Sequence, residues 1–160
     1  MAHPIALGAA GGFVGTLAIQ ALLTGTQKWL PSATPPIRQD PGESMVEKAE
    51  EVLPEDTRQE IPDIVETGAA RALAVGYGLT FGALYAALCP AGGPPHRDGP
   101  VLGLATWAVG YLGWLPALDL MPPVWRQEPL RALTPVAEHI VYGMATVAAY
   151  DWLVEQVENQ

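Results

Sequence analysis

Charge is scarce in this chain. Only 16% of its 160 residues are charged, and none of them precedes Lys28. Basic residues are scarcer still, since 8 Lys plus Arg stand against 17 Asp plus Glu, for a formal charge of -9. The electrostatic attraction to phosphate that nucleic-acid binding requires is missing, which excludes nucleic acid as a partner. The single cysteine, Cys89, rules out an intrachain disulfide and any Cys-based zinc site. No phosphate-binding glycine loop, nucleophile elbow or metalloprotease His pair occurs, so no enzyme motif stands behind a catalytic reading. His3, His96 and His139 fall on opposite sides of the spans described below, which leaves no His cluster for a metal. A transmembrane haem usually takes two axial histidines, and only His139 falls inside a span. The expectation is a non-catalytic protein with no cofactor and no metal.

What the chain has in abundance is apolar sequence: 49% hydrophobic residues, a mean hydropathy of +0.18, 17 Gly and 16 Pro. A helix rising 1.5 Å per residue needs about 20 apolar residues to cross the hydrocarbon core of a bilayer. Four segments meet or approach that length, at about 5–27, 68–89, 101–118 and 132–153. The predicted fold is all-α, a four-helix transmembrane bundle in one domain. The fourth segment carries Glu138 and His139 inside it and Asp151 near its end, and an acid there is expected to face protein or water. A soluble protein with greasy core helices is the rival reading, but buried soluble helices rarely run about 20 residues without a polar face. A cleaved signal peptide is a rival for the first segment, and it lacks the basic start such signals carry.

Between residues 28 and 66 the composition changes to ten acidic and four basic residues, with six prolines. This acidic loop is aqueous. Residues 31–40 are expected to be extended, and Asp40, Pro41 and Glu43 have the form of a helix start. Met45, Ala49, Val52 and Leu53 then share one face, opposite Glu43, Glu47, Glu50 and Glu51, which predicts a short amphipathic helix ended by Pro54. Its acidic face argues against anionic lipid, so the apolar stripe should pack on the protein's own loops or on a partner. Lys28, Arg38, Lys48, Arg58, Arg71, Arg126 and Arg131 fall on one side of the membrane and only Arg97 on the other. By that asymmetry loops 28–66 and 119–131 are cytoplasmic and both termini lie outside.

Small residues recur at four-residue spacing, pairing Gly8 with Gly12 and Gly11 with Gly15, and aligning Gly78, Gly82 and Ala86. Gly103, Trp107, Gly110 and Trp114 form a similar stripe in the third span. In lipid, small side chains let helix backbones approach closely, so these are packing faces, satisfied inside the bundle or against another subunit or a second copy. Trp29, Trp125 and Trp152 sit at span ends, where amphipathic rings favour the interface. Arg71, Asp119, Arg126, Glu138 and His139 converge near one membrane face. Such a cluster reads as an ion pair fixing helix register, with Arg71 paired to Glu138 or Asp119, or as a proton relay or polar substrate site, or as a contact for a partner or lipid headgroup.

The chain resembles the YagU-like family of small bacterial inner-membrane proteins in the run Pro-Ala-Leu-Asp-Leu-Met-Pro-Pro at Pro116–Pro123 and in Glu138-His139 followed by Ile-Val-Tyr-Gly143. A looser likeness includes Trp29, Pro31, Pro35, Pro36 and Arg38. The resemblance implies a bacterial multi-span protein with Glu138 and His139 as positions of interest, and no activity. The resulting expectation is an accessory or structural subunit docking on a larger membrane complex through its glycine faces and its acidic loop. The alternative is a small transporter or proton-handling protein using Arg71, Asp119, Glu138 and His139.

Overall fold

A computed structural model describes residues 3–37, 41–51, 54 and 62–159. Within them the protein is all-helical, with no strand. Helix α1 spans Pro4–Trp29. It starts where His3 Nδ1 accepts the Ile5 N–H at 3.4 Å and Pro4 takes the first position, which needs no donor. It stops at Leu30, because Pro31 cannot continue the helix. A 3-10 turn over Pro31–Ala33 follows, where an extended segment is expected from the sequence; the Ala33 N–H donates to the Leu30 carbonyl at 2.9 Å and tightens the chain there. Helix α2 spans Pro41–Glu50, shorter than the predicted helix to Pro54, and Asp40, Val52 and Leu53 lie outside the described residues. Helix α3 spans Asp63–Leu88 and ends at Cys89, ahead of Pro90.

The third apolar segment is not a uniform helix. Helix α4 runs over Pro95–Trp107, continues as a π-helical segment over Ala108–Trp114 and finishes with one α-helical turn at Leu115–Ala117. Pro116 gives a physical reason for the widening: in an α-helix its ring would clash with the carbonyl of Leu112, and it offers no N–H. Gly113 absorbs the strain, with φ -100° and ψ -105°. Helix α5 spans Pro129–Glu158 and contains Pro135.

Helix α1 is the hub. It packs along α3 on one side and α5 on the other, α4 packs on α5, and α2 packs on α3. Helices α3 and α4 barely touch, so the row α3, α1, α5, α4 curls without closing. One buried cluster joins Tyr85, Ala86, Leu102, Tyr142, Val147 and Tyr150; a second joins Tyr111, Leu115, Leu120 and Met121.

Two helices, Pro4–Trp29 and Ile64–Leu88, are long and apolar enough to cross a membrane. The third segment is divided by its π turn, and α5 carries Arg131, Glu138, Asp151, Glu155 and Glu158 along its length.

Candidate functional site

Close helix contact in this protein rests on glycine. A Cβ at Gly8 would lie 2.5 Å from the Gly82 carbonyl oxygen, and one at Gly12 would lie 3.1 Å from the Gly78 carbonyl carbon, so this pair of glycines seats α1 on α3. Gly11 and Gly15 face α5 instead, where an added Cβ would come within 2.7 Å of the Thr146 carbonyl and 2.8 Å of the Tyr142 carbonyl, respectively. Both glycine faces of α1 are therefore occupied by the chain's own helices. Gly103 and Gly99 bring α4 against His139, Ile140, Gly143 and Met144. Gly110 has only ordinary contacts, the nearest being the Tyr77 hydroxyl at 3.7 Å. The expected stripe from Gly103 to Trp114 thus divides at the π segment, whose extra residue per turn rotates Gly110 and Trp114 away from α5 and onto a cavity.

That cavity has a volume of about 1300 Å³ and occupies the gap between α3 and α4. Its deep end is bridged by two tyrosines. The Tyr77 hydroxyl on α3 donates to the Thr106 carbonyl on α4 at 3.0 Å, and the Tyr142 hydroxyl on α5 donates to the Gly78 carbonyl on α3 at 2.7 Å. Ile19, Leu23, Leu73 and Leu115 supply apolar wall, and Met45, Val46 and Ala49 of α2 border the same space. Met45 and Ala49 of the predicted stripe therefore face a groove in the protein itself, while Gly42 lies against the backbone of Ala70, close enough that an added Cβ would sit 2.5 Å from its carbonyl oxygen. Polar groups are interspersed on the wall, among them Gln20, Gln27 and Glu50 besides Tyr111 and His139.

Histidine 139 is held in one orientation. Its Nδ1 lies 2.7 Å from the Pro135 carbonyl oxygen, and its ring meets that of Tyr111 edge-on at 5.5 Å. A carbonyl can only accept, so Nδ1 carries the proton and Nε2 presents a lone pair. Beside it, Glu138 is 4% exposed. Its Oε1 accepts from the Thr26 hydroxyl at 2.8 Å, and its Oε2 and the indole nitrogen of Trp107 are buried without a hydrogen-bond partner.

The five charged or ionisable residues expected to converge do not form one cluster. Arg71 is exposed on α3 beside a separate shallow hollow with Ile64, Thr67 and Gly68. The expected pairing of Arg71 with Glu138 is absent: Arg71 is exposed on α3, whereas Glu138 is buried against α1, where its partner is a neutral hydroxyl. Asp119 is exposed in a turn, in the left-handed region at φ 57°, which Asp tolerates better than most residues. Arg126 is exposed in the 3-10 turn Val124–Arg126. Only His139 of the five lines the cavity. Thr26, Tyr77, Tyr111 and Tyr142 were not singled out by sequence reasoning; a hydroxyl one turn from a span end carries no pattern of its own.

At the opposite end a second polar group pins the loop between α3 and α4. Asp98 accepts from Arg97 Nε at 2.8 Å and from the Tyr85 hydroxyl at 3.2 Å, and Asp151 accepts the Gly93 N–H at 3.0 Å. The Arg97 hydrogen bond holds the Asp98 carboxyl below the ordinary carboxylate range. Among the described residues no group of three His, Cys, Asp or Glu side chains could hold a metal ion.

The fold and site define an all-helical protein with two helices able to cross a membrane and one large, mostly apolar groove. Comparison with protein-family models, with curated proteins and with solved structures finds no match.

Proposed function

We propose that the chain is a four-span bacterial inner-membrane protein of the YagU-like kind, and that it serves as a non-catalytic accessory or structural subunit. One observation carries the reading: the long helical elements turn many large apolar side chains outward, while several polar side chains lie inside beside the aromatic and aliphatic core. Phe13 and Leu17 on α1, Leu84 and Leu88 on α3, Val101 and Leu112 on the α4 segment, and Leu133 and Met144 on α5 are all exposed. Thr16, Thr106, Glu138 and Thr146 are buried. A soluble protein would reverse that arrangement. The uncharged run 99–117 has 19 residues, within the length that crosses the hydrocarbon core. Exposed Trp29, Trp125 and Trp152 would then lie at the two interfaces.

Because both glycine faces of α1 are used internally, a partner subunit would dock on the outer apolar faces or around α2. Two experiments test the reading. With Cys89→Ala as background, single cysteines at Glu47, His96 and Arg126 are labelled with an impermeant maleimide on intact spheroplasts. Four spans require His96→Cys to react from outside and the other two only after permeabilisation; reaction of all three from one side refutes them. Mild-detergent extraction at native abundance, followed by native gels, tests the subunit role, and migration as a lone monomer would overturn it.

A further inference from the structure

We propose that the groove between α3 and α4 is a binding site for a neutral lipid bearing a hydroxyl head. This rests on the bilayer placement above for its supply of ligand, and on the groove alone for its chemistry. The space is large enough for a ligand, at about 1300 Å³, and it runs beside α1 from Thr16 to Gln27, about 16 Å at the rise of an α-helix. Its walls are mainly apolar, as a hydrocarbon chain requires.

The polar groups choose the head. Three tyrosines line the groove, and two of them, Tyr77 and Tyr142, spend their hydroxyls on backbone carbonyls. Among the described residues the Tyr111 hydroxyl donates to none, and it is carried on the π turn. Beside it His139 presents the lone pair of Nε2, because Nδ1 is committed to Pro135. A donor and an acceptor on adjacent rings match a hydroxyl, which can give one hydrogen bond and accept another. No Lys or Arg among the described residues lines the groove, so a phosphate or carboxylate head would enter without a cation to meet it. Of the described basic side chains, Lys28 lies over the Trp29 ring, Arg131 donates to the Ser32 carbonyl, Arg97 pairs with Asp98, Arg71 sits at the other hollow, and Lys48 and Arg126 are exposed outside the lining.

The test uses the full chain in detergent micelles and a probe, 1-(9,10-dibromostearoyl)glycerol, whose bromines quench nearby tryptophan. Trp114 lines the groove and is the reporter. Saturable quenching is expected in the wild type, with the saturable part lost in Trp114→Phe. Gly76 lines the groove and an added Cβ there meets nothing within 4 Å, so Gly76→Leu should obstruct the groove beside Tyr77 and abolish saturable quenching while the helices stay packed. His139→Gln should weaken binding about fivefold, the worth of one hydrogen bond. Dibromostearate, with the same chain and a charged head, should bind at least about tenfold more weakly. Quenching that rises without saturation, that survives Gly76→Leu, or that is as strong with dibromostearate overturns the inference. Because the readout is taken in micelles, its failure is separable from failure of the topology test: a four-span chain without saturable quenching loses this site alone.

Discussion

Gly82 and Gly76 stand on the same helix, both in its interior, and differ in what a methyl group would meet. At Gly82 an added Cβ would lie 2.7 Å from both the Cα and the backbone nitrogen of Gly12. At Gly76 nothing lies within 4 Å. Ordinary Cβ contacts begin near 3.4 Å and the Gly8 carbonyl oxygen lies closer still, so Gly82→Ala must push α1 and α3 at least about 0.7 Å apart at that point. The obstacle is backbone, which cannot rotate aside, and a gap of that size forfeits roughly a quarter to a half of each affected dispersion contact. Overpacking of this kind costs about 1–3 kcal/mol. Replacing an interior helical glycine by alanine returns about 1 kcal/mol at either position. The propensity gain cancels in the comparison, so Gly82→Ala should be less stable than Gly76→Ala by about 1–3 kcal/mol. Reversible unfolding by SDS in mixed micelles, followed by tryptophan fluorescence, measures the difference. Twin variants within about 0.5 kcal/mol of each other would refute the claim that backbone contact at glycine sets the α1–α3 distance.

Thr26→Val removes the one hydroxyl that donates to Glu138 and should cost about 1–3 kcal/mol in the same assay, with Thr26→Ser restoring most of it. Tyr77→Phe breaks the bridge to the Thr106 carbonyl; a loss of about 1 kcal/mol is expected, together with a broader distance distribution between spin labels on α3 and α4. The Asp98 carboxyl is held below its ordinary range when folded, so its pairing with Arg97 supports the fold above that range and is lost as pH falls through the lowered value. Melting curves of wild type and Asp98→Asn should therefore differ at neutral pH and converge in strong acid; a difference that persists in acid refutes the assignment. With Arg97 largely exposed, that difference will be small.

Runs of uncharged residues reveal where the helices lie, because their lengths and proline stops follow from local chemistry. Helix α1 begins and ends within two residues of the expected 5–27, and Pro90 stops α3 where the sequence indicates. Small residues four apart also point to α1's two contact faces, because α-helical spacing puts Gly8 and Gly12 on one side and Gly11 and Gly15 on another. Rotation about the helix axes is what the sequence conceals. Counting residues from the span ends puts Arg71 and Glu138 at one membrane face, yet it cannot show that Arg71 turns outward while Glu138 turns to α1. The π segment is concealed for a related reason: a helical stripe from Gly103 to Trp114 assumes one unbroken periodicity, and Pro116 disturbs it from beyond the stripe. Gly99 and Gly143, which also meet at the α4–α5 contact, belong to no glycine stripe in the sequence reading, because one falls at the edge of a Pro/Gly turn and the other stands alone in its span.

The hub position of α1 sets a problem of timing. This helix is made first and its two glycine faces are cut to fit helices made later. At about 5–20 residues per second, α3 is complete roughly 3–12 s after α1, and α5 needs a comparable further interval. Until then Gly8 and Gly12, and then Gly11 and Gly15, have bare backbone beside them and no partner. The first helix waits for the last, and any nascent chain cut short before Tyr142 leaves one side of α1 uncovered for whatever chaperone or protease reaches it first.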